Sequence, residues 1–456
     1  MSGPATGERR QRTPDRARRV AFDALRAVNA DGAYANLVLA SLLSERVISG
    51  RDAAFATELV AGTCRWQGSY DVIIAAAARR RLDTLQPAVL DLLRLGVHQI
   101  LAMRVPVHAA VSTSVDLAAA TVGERVAGLV NAVLRRVAED DLDGWLARLS
   151  DGLAERDRLA LRTAHPRWIV DAYAELLPPD ELAAALAADN VSPTVSLAVR
   201  PGLASVDELI AEGASPGLNS PFAVRIAGNP GELAAVREGR AGVQDEGSQL
   251  VAWALTRASA LPGMWLDLCA GPGGKTALLT GLAAADRSRV LAVDLAPHRA
   301  QLVAAATRGY AALDKAPTVI VADGTRPAWR AGVFTRVLAD VPCSGLGALR
   351  RRPESRWRRA PDDIEQLHHL QLALLATAID AAQPGGVIGY VTCSPHRRET
   401  TDVVDETLHG RGDVEVVPAT GLVPLPSGAV AGRFLQLWPH RHGTDAMFAA
   451  FLRKIG

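Results

Sequence analysis

Residues 264–285 read MWLDLCAGPGGKTALLTGLAAA, and this stretch decides the fold. MWLDL has the apolar bias of a short strand, three glycines crowd the turn after it, and the Ala- and Leu-rich run from about Lys275 reads as a helix. Strand, glycine-rich turn and helix in that order open a doubly wound α/β sheet, whose turn can bring backbone close to a ligand. Working outward, RVLAVDL, PTVIVAD, RVLADVP and GGVIGYVTC read as further strands, with helical stretches after several of them. Asp294 ends the next strand 27 positions after Asp267, a spacing at which a carboxylate commonly meets ribose hydroxyls. Asp323 ends the strand after that, where an adenine would lie. Two common glycine motifs do not fit the turn. A phosphate-binding P-loop needs glycine where Cys269 stands, and the dinucleotide fingerprint fails at Thr276.

Towards the N-terminus the texture changes. Residues 16–140 are helical throughout: ARRVAFDALRAV, ANLVLASLL, AAFATELVAGTCRW, PAVLDLLRLGVHQIL and VAGLVNAVLRRV place apolar residues three and four apart, as in a compact bundle. The preceding residues, 1–15, are polar and arginine-rich and are expected to be a disordered tail. A polar stretch, 141–164, is expected to be a linker or a further helix, and 165–240 a small α+β subdomain with strands in TVSLAVRP and FAVRIAG. The α/β domain then occupies 241–456. The fold class is therefore multidomain, an all-α bundle followed by an α/β Rossmann-like domain.

Composition is consistent with this. The chain has 456 residues, 49% apolar and only 4% aromatic, so Ala, Leu and Val must fill most of the cores. Its net charge of +1 says nothing about local patches. Lysine occurs only at 275, 315 and 454, so a lysine inside the glycine loop stands out. Four cysteines without a C-x-x-C pair suit neither a disulfide framework nor a zinc ribbon. A metal on Cys393 and His396 with His368 and His369 has poor ligand spacing, and no metal is expected. No apolar run approaches membrane-spanning length and no signal core precedes the bundle, so a soluble, cytoplasmic protein, monomeric by default, is expected.

Asp340-Val-Pro-Cys343-Ser-Gly and Thr392-Cys393-Ser-Pro each follow a strand. Ligands of open α/β sheets lie at the carboxyl ends of strands, so two cysteines there can face one substrate. Such a set suits methylation of cytosine at C5. That carbon is a poor nucleophile until a thiolate adds to C6 and makes the ring an enamine; a carboxyl group stabilises N3, and a base later removes the C5 proton. Cys393, Cys343 and Asp340 fit these catalytic roles. Cys64, on a bundle helix, reads as a buried small hydrophobe, and Cys269 as a loop residue near the cofactor.

QDEGSQLV, DLCAGPGGKT, DVPCSGLGALRRRPESRW, GGVIGYVTCS and HGTDAMF together resemble the RNA 5-methylcytosine methyltransferases, in particular the small-subunit ribosomal RNA methyltransferase B (Sun) group. LVAGTCR, HAAVSTSVDLA and VNAVLRR resemble the NusB-type RNA-binding bundle that precedes the catalytic domain in that group, so the likeness covers nearly the whole chain. The resemblance implies S-adenosylmethionine as cofactor and small-subunit (16S) ribosomal RNA as partner. It makes Cys393 the nucleophile and Cys343 the group that helps release the product. It lines the cofactor site with Cys269, Ala270, Gly271, Pro272, Gly273, Gly274, Lys275, Asp294, Arg299, Asp323 and Asp340, and makes 165–240 RNA-binding. The chain departs from the group at Glu399-Thr400, where Glu-Asn is usual, and at Asp445-Ala446-Met447-Phe448, where Asp-Gly-Phe-Phe is usual.

Arg350, Arg351, Arg352, Arg356 and Arg358 crowd around Trp357 and are expected to bind RNA, by phosphate pairing and base stacking. Arg18, Arg19, Arg65, Arg135 and Arg136 offer a second contact on the bundle. Two rivals are weighed: a DNA cytosine-5 methyltransferase with Cys343 as nucleophile, and a non-catalytic RNA-binding assembly factor. The Thr-Cys-Ser cysteine and the bundle argue against the first, the intact loop and both cysteines against the second.

Overall fold

Asp15 starts the first helix by accepting the Arg18 N–H on its carboxylate, and the helix ends at Gly32, whose φ of 69° lets the chain turn away. In the computed structural model, which describes residues 14–258 and 261–455, this helix α1 (Arg16–Asp31) is followed by α2 (Ala35–Glu45), α3 (Gly50–Ala78), α4 (Pro87–Leu101), α5 (Val107–Thr121) and α6 (Glu124–Val137). The tail expected at 1–15 lies, up to residue 13, outside the described residues. The apolar stripes of the helices meet in one core, where Leu25, Leu59, Ile73, Leu93, Val130 and Leu134 are fully buried. Each such burial stabilises the fold by about 2 kcal/mol. Cys64 lies in this core; burial pushes its thiol up to about 12, which makes it a packing residue.

The 141–164 stretch forms two helices, α7 (Leu142–Leu149) and α8 (Glu155–Thr163). Trp145 and Leu146 are buried, the Trp145 indole donates to Val137 O at 2.8 Å, and Ser69 Oγ donates to Leu161 O at 2.6 Å. These contacts make the stretch part of the bundle. The chain divides into two compact units: one runs to Asp171 and includes Arg352–Arg358, and the other holds Ala172–Arg351 and everything from Arg359 on.

The second unit contains two sheets. In the smaller, β1 (Val195–Val199), β2 (Ser215–Pro216), β3 (Ala223–Ile226) and β4 (Ala241–Val243) pair antiparallel in the order β2-β3-β1-β4, over a core of Leu197, Val199, Leu209 and Val224. The larger sheet holds β5 (Met264–Asp267), β6 (Arg289–Asp294), β7 (Thr318–Val321), β8 (Phe334–Asp340) and β9 (Ala382–Thr392) in parallel. It is extended by β10 (Val414–Val417), β11 (Val430–Ala431), β12 (Phe434–Gln436) and β13 (Phe448–Lys454). The order is β11-β12-β13-β9-β8-β5-β6-β7, with β10 beside β13 and β13 antiparallel to β9. All five parallel strands fall where the apolar runs predict them. β8 is buried along nearly its whole length, as a central parallel strand must be. No helix among the described residues is long and apolar enough to cross a membrane.

Candidate active site

The strand order reverses at β5: the chain runs outward through β6 to β7 and then returns to lay β8 against the other side of β5. The loops after β5 and β8 therefore open into one crevice, the place where ligands bind in such sheets.

The loop after β5 is held from below. Asp294 Oδ2 accepts the Gly271 N–H at 2.9 Å and Oδ1 accepts the Ala296 N–H at 3.0 Å. Arg299 donates to Asp294 Oδ2 at 3.1 Å and to Gly271 O at 2.5 Å, so it braces the loop. Gly273 has φ 104°, and a Cβ on it would sit 2.8 Å from Val303 Cα; no other residue fits there. The helix Gly274–Ala285 begins at once, with Lys275 in its first turn. Beneath the loop Asp267 is fully buried. Its Oδ2 accepts the Thr276 hydroxyl at 2.7 Å, its Oδ1 has no hydrogen-bond partner, and burial pushes its carboxyl up to about 7. Burial raises the Cys269 thiol strongly, with Asp267 adding to it, so this cysteine is no nucleophile. Asp323 accepts the Thr325 N–H and hydroxyl on Oδ1, at 2.9 and 2.7 Å.

Lys275 Nζ donates to Asp340 Oδ2 at 2.8 Å and joins the glycine loop to the end of β8. Burial works against the lysine charge, but the Asp340 carboxylate outweighs it and holds Lys275 above its usual range. Just beyond, Cys343 Sγ lies 3.3 Å from Cys393 Sγ. The contact follows from register: Asp340 on β8 pairs with Val391 on β9, so the loops leaving the two strands start side by side. The hydrogen bond given by Cys343 lowers the Cys393 thiol, against burial, and Lys275 also favours its thiolate; the same bond and burial raise Cys343 well above its usual value. The two thiols are thus shifted in opposite directions, Cys393 downward, with the Asp340 charge opposing, and Cys343 upward. Gly347 N donates to Cys393 O at 2.9 Å, and a Cβ on Gly347 would meet Ala446 O at 2.0 Å, so glycine is required at this crossing.

Ala446 and Met447, the departure near the C-terminus, are buried. Ala446 N donates to Gly347 O at 2.9 Å, and Met447 packs among Leu250 and Leu437.

The arginines expected to bind RNA are largely committed to the protein itself. Arg350 is buried and donates to Asp245 at 2.8 Å, Asp445 at 3.1 Å and Gly443 O at 2.8 Å. Arg351 forks onto Asp445. Between these cations Asp245 and Asp445 sit close together, and burial raises the Asp245 carboxyl to about 6. Arg356 has no exposed surface and donates to Ala164 O at 2.9 Å. Arg358 donates to Gly32 O at 2.9 Å and Val28 O at 3.0 Å, and the Trp357 indole to Cys64 O at 2.6 Å. Arg352 is exposed, with its guanidinium 5.1 Å from the Tyr34 ring centre. Arg352–Arg358 is a strap in the helical unit in which Arg356 and Arg358 bond to backbone carbonyls, while Arg351 and Arg352 keep exposed surface. On the bundle, Arg65 is likewise buried, whereas Arg19 and Arg135 carry local bonds on the surface. Trp357→Ala is expected to cost about 2–4 kcal/mol of stability in denaturant unfolding, because the indole fills the space over Gly68.

Sequence reasoning missed a buried carboxylate, Glu399, which accepts bonds from Ser344 and Gln371 behind the two cysteines. The serine that follows each cysteine was the available signal. Among the described residues no group of His, Cys, Asp or Glu is arranged to hold a metal, and His368 is bonded to Arg398 O and Glu406.

Comparison with known proteins agrees with this geometry. Residues 258–453 match the family profile described as 16S rRNA methyltransferase RsmB/F, and residues 15–139 match the NusB family. The chain is 52% identical to the Mycobacterium tuberculosis protein Rv1407, over 98% of both chains; that relative's name says no more than methyltransferase. It is 33% identical to ribosomal RNA small subunit methyltransferase B of Pseudomonas putida, over 96% of this chain and 98% of the relative. Among solved structures, PH0851 superposes with a TM-score of 0.81 at 22% identity, covering 97% of this chain and 99% of that one, a likeness of fold.

Proposed function

The chain belongs to the RsmB/F family of S-adenosylmethionine-dependent RNA cytosine-5 methyltransferases, with an N-terminal NusB domain, and from that premise we propose that it methylates a cytosine of small-subunit ribosomal RNA, in the cytoplasm, through a covalent bond from Cys393. The choice of RNA is supported by the P. putida relative's name. The observation that carries the chemistry is the pair of thiols 3.3 Å apart beside the Lys275–Asp340 ion pair, with Cys393 lowered and Cys343 raised.

The residues present fit the cofactor. Glycines 271, 273 and 274 leave a cradle without side chains, and the unpartnered Asp267 Oδ1 offers a buried acceptor beneath it. Asp294, with lone pairs beyond those used by Gly271 and Ala296, would take the ribose hydroxyls, and Asp323 would meet the adenine. Cys269, Ala270, Pro272 and Lys275 would complete the wall, with Arg299 holding it in place. S-adenosylmethionine, when bound, supplies an electrophilic methyl group. Asp294→Ala is expected to weaken its binding about 10- to 100-fold by calorimetry, the worth of charge-assisted hydrogen bonds.

The target cytosine leaves its stack to reach the crevice. Lys275 keeps the Asp340 carboxylate aimed at the ring's N3 edge, where it holds a proton taken up by N3 from solvent, so that addition of the Cys393 thiolate to C6 leaves the ring neutral. C5 is then the nucleophilic end of an enamine and takes the methyl group. Cys343, a thiol at rest, gives its proton to solvent after the methyl transfer and then takes the proton lost from C5 as the C6–S bond breaks, so that it ends as the thiol it began and the Cys393 thiolate is restored.

RNA carrying 5-fluorocytidine tests this, because fluorine cannot leave C5 as a proton does and the adduct persists. Peptide mapping is expected to find the RNA on Cys393. RNA on Cys343 instead would favour the arrangement of DNA cytosine methyltransferases and overturn the assignment.

A further inference from the structure

Cys343 and Cys393 carry the same chemical group in contact, so something must decide which is the thiolate. The backbone ladder aligning their strands ends at Val341 N, which donates to Val391 O at 3.0 Å, and past it one backbone bond, from Gly347 N to Cys393 O at 2.9 Å, joins the two loops. Side chains tie them further through Glu399, which lies on the turn Arg397–Glu399 and has no exposed surface. Its Oε1 accepts the Ser344 N–H at 2.7 Å and Gln371 Nε2 at 3.1 Å, and its Oε2 accepts the Ser344 hydroxyl at 2.5 Å. Gln371 Nε2 also donates to Pro342 O at 2.9 Å, so bonds grip the chain on both sides of Cys343. The Ser344 and Ser394 hydroxyls lie 3.1 Å apart, and Tyr390 donates to Glu399 O at 2.7 Å, which links the clamp to the Cys393 loop.

We propose that Glu399 is the positioning residue that sets the division of labour between the two cysteines: its clamp aims the Cys343 S–H at Cys393. The inference rests on the reading of Cys393 as nucleophile. A hydrogen bond given to a sulfur favours the thiolate that accepts it, and a nearby anion disfavours the thiolate of the donor. Cys343 is raised first by its bond to Cys393 and by burial, and the Glu399 charge adds to this. Glu399 bonds to Ser344 and Gln371 and to neither sulfur, so it acts through Ser344.

The test is thiol titration of the full chain without RNA, by iodoacetamide alkylation across roughly pH 6–10 with peptide mass spectrometry reading each cysteine. In the unaltered protein Cys393 should react at lower pH than Cys343. Glu399→Gln keeps an acceptor for Ser344 N but removes the charge. The Cys343 midpoint should then fall by about one pH unit and that of Cys393 rise, so the preference for Cys393 at neutral pH drops about tenfold or more. Unchanged midpoints in a folded Glu399→Gln protein overturn the proposal. If that variant does not fold, Ser344→Ala removes the hydroxyl link alone. It should raise the Cys393 midpoint and lower kcat with KM for RNA unchanged; unaltered midpoint and kcat overturn the clamp. Because alkylation uses no RNA, the two readings fail separately. Midpoints that shift as expected in a protein that modifies no RNA overturn the reaction and leave the clamp, whereas fixed midpoints in an active enzyme overturn the clamp alone.

Discussion

Cys393→Ala is expected to abolish methyl transfer, with a loss on the order of 10⁴-fold or more, since it removes the thiol proposed to add to C6. Cys343 is near enough to suggest a substitute, but its thiol is held far above the usual range, so its thiolate is scarce at neutral pH. Cys269 is excluded by the same argument. Binding of S-adenosylmethionine should survive in the calorimeter, because the glycine loop is braced by Asp294 and Arg299 and makes no use of Cys393. Loss of cofactor binding together with activity would mean that the substitution has disturbed the fold and would void the result as evidence for a nucleophile. Residual activity within tenfold of the unaltered enzyme would remove Cys393 from the mechanism.

The second large effect is opposite in character. Cys343→Ala should let the first addition and methyl transfer occur but slow release, so that protein and RNA accumulate as a complex that survives denaturing electrophoresis. Removal of a proton-handling group typically costs about 10²–10⁴-fold, and the loss should fall on turnover. The substitution also takes away the hydrogen bond that lowers Cys393, so adduct formation should slow as well, though by less. A Cys343→Ala enzyme that turns over normally and leaves no complex would place the proton elsewhere.

How legible this was in the sequence depended on the range of the interactions. The strand, turn and helix of 264–285 are local, and so are the apolar runs of β6 to β9, which is why the α/β domain could be read directly. The two thiol loops were recognisable because each cysteine follows a strand. Their contact also needs the parallel register of β8 and β9, which no single stretch carries. The protein partners of the arginine run were not legible, because charge density along the chain does not reveal where the counter-charges are. Asp245 and Asp445 lie 105 and 95 positions from Arg350, and the carbonyls that hold Arg356, Trp357 and Arg358 at Ala164, Cys64 and Val28 lie 192, 293 and 330 positions earlier in the chain. A buried arginine among carbonyls and an RNA-facing arginine look alike in one dimension. The stretch 141–164 was undervalued for a similar reason: its polar residues outnumber Trp145 and Leu146, yet those two bury against the bundle and fix it there. Glu399 entered the sequence reading only as part of a departure from a family pattern. Its partners, Ser344 and Gln371, are 55 and 28 positions away, so its place behind the cysteines emerges only in three dimensions.

We propose that this chain puts a methyl group on C5 of a cytosine in small-subunit ribosomal RNA through Cys393. The most direct measurement incubates the full chain with labelled S-adenosylmethionine and unmethylated small-subunit ribosomal RNA, and maps 5-methylcytosine by bisulfite sequencing. The account predicts a single modified cytosine that is absent when Cys393→Ala is used. Label confined to transfer RNA or DNA, or the same cytosine modified by the Cys393→Ala protein, would contradict it.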